Sequence, residues 1–257
     1  MRLKGGSMRK FIVDGLEMTK NHVYYYKGEH KIPVTSVCDI FPKPWLAAWA
    51  AKEAALKFAR QIEEGKTYTS NELDKIVDIS KNAYNVKRDM AADTGSMFHD
   101  WLGNYIKTGE RGDVKDTDLV SLVTKFLAWE SENKVEWLAS EIMILGEKGY
   151  AGTLDILARI NKVIWLLDAK TNDEIRITYR MQTGAYTMGF NYCFKTPVIQ
   201  KRGILSVPKE EGVGVSLREI NTPLKDDYAI FLSMLDFKKK LMSYEKKYKD
   251  ELDWKRK

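Results

Sequence analysis

Two aspartates and a lysine stand where chemistry is possible in the stretch "GTLDILARINKVIWLLDAKT", residues 152–171. Asp155 and Asp168 interrupt apolar, strand-like runs, and Lys170 follows two residues after Asp168. An unpaired carboxylate in such surroundings is costly, so a partner is expected. Asn161-Lys162 reads as a two-residue hairpin turn, Asn being suited to positive φ. Counting outward from a pair at Ile160 and Val163 places Asp155 opposite Asp168, and a symmetric four-residue loop gives the same register. Directly opposed residues hold their Cβ atoms roughly 4.5–5.5 Å apart, and like charges there repel. Lys170, two positions further, shares the face of Asp168. One ammonium is a poor match for two carboxylates, whereas a divalent cation with oxygen ligands, Mg²⁺ or Mn²⁺, neutralises both. The competing reading is an Asp–Lys ion pair on a solvated sheet face. Ile156, Leu157, Ile164, Trp165, Leu166 and Leu167 make both faces apolar, which weighs against it.

The elements that must position these residues follow from periodicity. Residues 8–38 alternate as strands, with Lys27-Gly28-Glu29 as a hairpin turn. Residues 42–66 switch to helical period, with Trp45, Trp49, Ala54 and Phe58 near one face and Gly65 as a stop. A second helix is expected over 69–95, opened by Thr69 or Ser70 with Glu72, and a separate one over 93–109 with Phe98, Trp101, Leu102 and Tyr105 as its apolar stripe. A helix over 117–134 precedes strands over 136–170. Then come a helix over 178–194, strands in 197–207 and 212–220, and a closing helix over 223–254. The tryptophans at 45, 49, 101 and 129 fall within helical stripes and are expected in the core. The chain reads as one α/β domain: a mostly helical part to residue 135, a sheet-and-helix core over 136–220, and a C-terminal helix from 223.

Composition sets the bounds. No apolar run among the 257 residues reaches membrane-span length, and no basic-then-apolar leader opens the sequence. Residues 1–7, "MRLKGGS", precede a second methionine, Met8, and are given no structural weight. Cys38 and Cys193 are the only cysteines, which fits a reducing cytoplasm, leaves a single disulfide open, and excludes a four-cysteine zinc or iron–sulfur site in one chain. A net charge of +6 favours a polyanionic partner without settling one. "YNVKRD" and the Lys-rich stretch from Phe237 onward could follow a phosphate backbone; the plain alternative is a solvated face.

Four elements occur in a fixed order: Gly152-Thr-Leu-Asp155, Asp168-Ala-Lys170, Gln182-Thr-Gly-Ala-Tyr186, and His99 on an upstream helix. In this order the sequence resembles the PD-(D/E)XK nuclease superfamily in its RecB-like branch, over about residues 22–220. "PVTSVCDIFPKPWLAAWA" is similar to phage-type and mitochondrial-genome-maintenance exonuclease-like members.

The resemblance implies a central mixed sheet flanked by helices with an α-rich N-terminal portion. It also implies one or two Mg²⁺ or Mn²⁺ ions held by His99, Asp155, Asp168 and the backbone oxygen of Ala169. Lys170 would act on the attacking water and the phosphate, Gln182 would orient the lysine or the water, and Tyr186 would contact the DNA backbone, with Gln182 and Thr171 also at the DNA. Thr171 would brace the lysine turn, and Glu141 is an outer ligand or an exposed strand carboxylate. The expected activity is a DNA exonuclease acting on ends or single strands in recombination, replication or repair. A structure-specific endonuclease of the same fold and a non-catalytic DNA-binding module are the alternatives. A stand-alone phage or bacterial cytoplasmic enzyme is implied, without an iron–sulfur cluster or membrane partner, and with a homo-oligomer open.

Overall fold

The computed structural model describes residues 11–249, without the side chains of Trp45 and Ala91. These residues divide into two compact units, one running to Phe41 and resuming at Phe98, the other Pro42–Met97. The larger unit is mixed α/β, an open mixed sheet flanked by helices.

Its chain begins with a three-stranded antiparallel meander, β1 (Leu16–Met18), β2 (Tyr24–Tyr26) and β3 (Glu29–Pro33). The expected hairpin turn is present, with Lys27 and Gly28 both at positive φ between the paired Tyr26 and Glu29. Beyond Pro33 the predicted strand does not continue: Val34–Cys38 is helix α1. β-branched Val34, Thr35 and Val37 invite a strand reading. Burial of Val34, Val37 and Cys38 along one side of a helical turn overrides that propensity.

The smaller unit contains α2 (Pro44–Ala59), with Pro44 in its first turn, and α3 (Ser70–Ser80). Thr69 caps α3 in a full capping box, its hydroxyl accepting from the Glu72 N–H while Glu72 accepts from the Thr69 N–H. Trp49 and Tyr84 meet edge-on at 5.0 Å. The helix boundary expected near residues 93–95 lies instead at Lys81-Asn82, and α4 (Ala83–Thr108) runs without interruption through Gly95. A helix tolerates one interior glycine at a cost of about 1 kcal/mol.

In the larger unit, α4 ends before Gly109 at φ +78°, and α5 (Thr117–Asn133) is capped by the Asp116 side chain. Then follow β4 (Glu136–Leu145), β5 (Tyr150–Ile160), β6 (Val163–Lys170), α6 (Ile177–Cys193), β7 (Lys201–Ser206), β8 (Ser216–Glu219) and α7 (Leu224–Lys247). The part of the closing helix expected over 250–254 lies outside the described residues. β5 pairs antiparallel with β4 and β6, β6 runs parallel to β7 through the α6 crossover, and β8 closes that edge.

Two apolar layers cover the sheet. Leu157, Ile164 and Leu166 pack with Met181, Ala185 and Phe190 of α6 and Phe231 and Leu235 of α7. Ile156, Ala158, Trp165 and Leu167 pack on the other face with Phe98, Leu102, Leu122 and Phe126 of α4 and α5. Trp101 and Trp129 are buried there, as expected. Cys38 and Cys193 are reduced thiols, Cys38 Sγ donating toward the Thr178 carbonyl at 3.9 Å and Cys193 Sγ to that of Leu145 at 3.2 Å. Among the described residues no helix is long and apolar enough to cross a membrane.

Candidate metal centre

The β5–β6 hairpin turns at Asn161-Lys162, both at positive φ, and pairs Ile160 with Val163 as expected. The ladder runs five pairs inward and stops at Ile156–Leu167, one step before Asp155 and Asp168. On the same edge of β5, opposite β4, β3 takes over at Tyr150 and Ala151. Gly152–Asp155 therefore lie in a fork between two neighbouring strands. Within it Asp155 Oδ2 accepts the Ala169 N–H at 3.0 Å, so a side chain links the two strands just beyond the last ladder pair.

Strand alternation slips at the same level. Ala139 and Ile142 of β4, and Leu154 and Leu157 of β5, belong to one core layer although each pair is three residues apart. Glu141 sits at the slip with φ +52°. The β4–β5 register is unchanged across it, from Ser140–Ile156 to Ile142–Leu154, which sets Glu141 level with Asp155. The slip turns Glu141 toward α4, where Gly103 leaves it room; a Cβ there would lie 3.2 Å from Glu141 Cγ.

His99 arrives from α4, its Nδ1 3.6 Å from Asp155 Oδ2, close but outside hydrogen-bond range. His99, Glu141 and Asp155 offer ligand atoms that all lie within 4.8 Å of one another. Glu141, read from sequence as an outer group, thus belongs to the compact trio. Asp168 faces the α6 layer instead. It is 1% exposed, its Oδ1 accepts from Gln182 Nε2 at 3.0 Å, and its Oδ2 lies 2.7 Å from Lys170 Nζ. That ion pair with Lys170 is the partner of this buried oxygen, and among the described residues no further hydrogen bond reaches it. A trio of imidazole and carboxylate donors beside a buried carboxylate that is balanced by a single ammonium fits a divalent ion such as Mn²⁺ or Mg²⁺.

The electrostatics follow from this crowding. Glu141 keeps an exposed outer surface, yet the protein packed around its carboxyl and the nearby Asp155 push it up to about 7. Burial and then the Asp155 charge push Asp168 upward, against the pull of Lys170. Burial alone would lower Lys170, but Asp168 and Asp155 outweigh it and hold the ammonium above its ordinary range.

Tyr186 is 3% exposed, and its hydroxyl accepts from Gln182 Nε2 at 3.3 Å. Its ring covers Gly152, where a Cβ would come within 2.7 Å of Tyr186 Cε1. Ala169 is fully buried and contributes its N–H to the fork. Thr171 is half-buried in the bend after β6, and among the described residues no hydrogen bond joins it to Lys170.

Two neighbours escape a reading of the sequence. Tyr179 places its ring 5.1 Å from Lys170 Nζ; its spacing from Gln182 and Tyr186 along α6 was a usable signal. Tyr24 of β2 shares a 2.9 Å hydrogen bond with Thr153 Oγ1, and burial, with the nearby Glu141 and Asp155 charges, raises its phenol. No sequence spacing joins Tyr24 to a site about 130 residues away. Neither a scan against protein-family models nor a search of curated proteins finds a match to this chain.

Proposed function

We propose that this chain is a divalent-metal-dependent nuclease on a PD-(D/E)XK-type core, hydrolysing DNA phosphodiester bonds as an exonuclease on ends or single strands. The observation that carries the reading is the meeting of His99, Glu141 and Asp155 at a strand fork with Asp168 and Lys170 beside it. These four acidic and imidazole side chains would hold Mg²⁺ or Mn²⁺, with the Ala169 carbonyl oxygen as the resemblance implies. Such an ion, when bound, lowers the pKa of a water ligand and stabilises charge at phosphorus.

The chain's own groups supply the rest. Lys170 is held charged at neutral pH and can attract a phosphate oxygen as negative charge develops. Gln182 fixes the rotamer of Asp168 through Oδ1, which turns Oδ2 toward Lys170. Tyr186, buried against Gly152, holds Gln182 from behind, which is a positioning role. DNA as the substrate follows from the resemblance and agrees with the basic net charge.

The test is digestion of end-labelled linear and closed circular DNA across a titration of Mg²⁺ and Mn²⁺. Degradation of linear DNA with circular DNA spared is the expected result. Cutting of both reassigns the chain to an endonuclease of the same fold, and no cleavage with either ion overturns the enzyme reading.

A further inference from the structure

The C-terminal half of α7 leaves the core. Its packed side, Asp227, Phe231 and Leu235, ends at Leu235, and the twelve residues from Asp236 to Lys247 are all exposed or half-exposed. Along this free half, Phe237, Leu241 and Tyr244 are spaced four and three apart, and Tyr248 follows four residues later just past the helix end. At about 100° per residue these four positions fall within roughly 60° of arc, about 110° round from the packed side. Phe237 is 53% and Tyr244 55% exposed, and Tyr244 packs on Tyr248 with ring centroids 4.6 Å apart. Lysines border the stripe on both sides: Lys247 and Lys240, the latter in an exposed 2.7 Å ion pair with Asp236 that a phosphate can replace, on one, and Lys238 and Lys249 on the other. Lys239 ties the helix to the β4–β5 turn through the Lys148 carbonyl at 2.7 Å.

A solvated helix has no need to hold large aromatic rings in water along one line. A second copy of the helix would bring lysine flank against lysine flank and repel. An acidic lipid surface matches the charge, but a helix lying in that interface carries an apolar face about 100° wide or more, broader than this stripe. We infer that the free half of α7 is a binding arm for single-stranded nucleic acid, with bases stacked on Phe237 and Tyr244 and phosphates set against the flanking lysines. The choice of nucleic acid as partner rests on the function proposed above; the arm's charge and aromatic layout do not.

The experiment is fluorescence anisotropy of labelled oligo(dT) and of a blunt duplex, titrated with the full chain in EDTA so that no cleavage occurs. Phe237→Ala with Tyr244→Ala weakens oligo(dT) binding by about ten-fold or more and duplex binding by less than about two-fold. Lys240→Gln with Lys247→Gln weakens both ligands and lowers the salt slope for oligo(dT) by about 0.7 for each phosphate no longer neutralised. Unchanged circular dichroism and melting temperature show that either variant keeps its fold. Unchanged oligo(dT) affinity in the aromatic variant overturns the arm. So does an equal loss on duplex, or aromatic-dependent binding to phosphatidylserine vesicles without an effect on oligo(dT). Binding that depends on the arm in a chain that never cleaves DNA refutes the nuclease and leaves the arm. Cleavage with arm-independent binding does the reverse.

Discussion

Asp155 Oδ2 accepts the Ala169 backbone N–H at 3.0 Å, one residue beyond the last ladder pair of β5 and β6. The carboxylate therefore does two things at once: it satisfies a fully buried amide and brings negative charge beside His99 and Glu141. The two roles separate by substitution. Asp155→Ala leaves the Ala169 N–H without a partner and costs about 1–3 kcal/mol. Asp155→Asn keeps an oxygen acceptor and relieves repulsion from Glu141 and Asp168. Its metal-free melting temperature is expected to equal or exceed that of the wild type. Both variants lose cleavage. Calorimetry in EDTA checks this, and an Asn variant as unstable as the Ala variant would show that charge, not the hydrogen bond, holds the fork.

Lys170→Ala removes the cation beside a carboxylate that is 1% exposed. Breaking such a pair is expected to cost about 3 kcal/mol at pH 8, because the remaining charge is buried alone. The sign of the pH dependence follows from the raised pKa of Asp168, which climbs further without the lysine. A carboxyl raised in the folded state stabilises the fold below its unfolded pKa and loses that contribution as pH rises through its folded value. The deficit of Lys170→Ala should therefore be small near pH 4–5 and largest at pH 8. The upward shift of Lys170 itself adds nothing to this window, since that contribution is lost only in strong alkali. Urea denaturation at the two pH values measures the difference, and cleavage is lost at both.

The hairpin was legible because three local signals agreed. Strand-length apolar runs, a turn residue that accepts positive φ and equal counting on both strands fix the Ile160–Val163 register. The fork was not legible, since the ladder stops where β3, over a hundred residues upstream, takes the same edge of β5. Nor was the slip that turns Glu141 toward α4, because a non-glycine residue at φ +52° inside a strand has no sequence signature. In the helical turn after Pro33 burial overrode local propensity, whereas in α4 the helical residues on either side outweighed one interior glycine.

Glu141 provides a pH test of the trio. Its carboxyl rises from 4.5 to about 7 in the folded chain, through desolvation and then the Asp155 charge. Metal-free stability from this group is present below about pH 4.5 and lost as pH climbs through about 7. Glu141→Gln should flatten that part of the decline and melt above the wild type at pH 8. Exposure of the carboxyl screens the effect, so about 1 kcal/mol or less, a few degrees, is expected. Mn²⁺ should steepen the wild type's gain toward high pH, because ligands must be deprotonated to bind it. Identical pH–melting curves for the two proteins in EDTA would remove Glu141 from the trio.

Gly152 is required by the ring that covers it. An added Cβ would stand 2.7 Å from Tyr186 Cε1 and 3.2 Å from Val34 Cγ2. Both side chains are buried, at 3% and 0% exposure, so neither can withdraw without disturbing the core. Gly152→Ala is expected to cost about 1–3 kcal/mol by overpacking. The damage should travel along a short chain of contacts. Displacing Tyr186 loosens its 3.3 Å contact with Gln182, and Gln182 is what orients Asp168 Oδ1 at 3.0 Å. Cleavage should therefore fall more than stability. In a Tyr186→Ala background the ring is gone and the methyl has space, so Gly152→Ala should cost far less than in the wild type. Denaturation of the four proteins in a double-mutant cycle measures the coupling. Additive costs would mean that Gly152 serves the backbone of the fork and not the tyrosine.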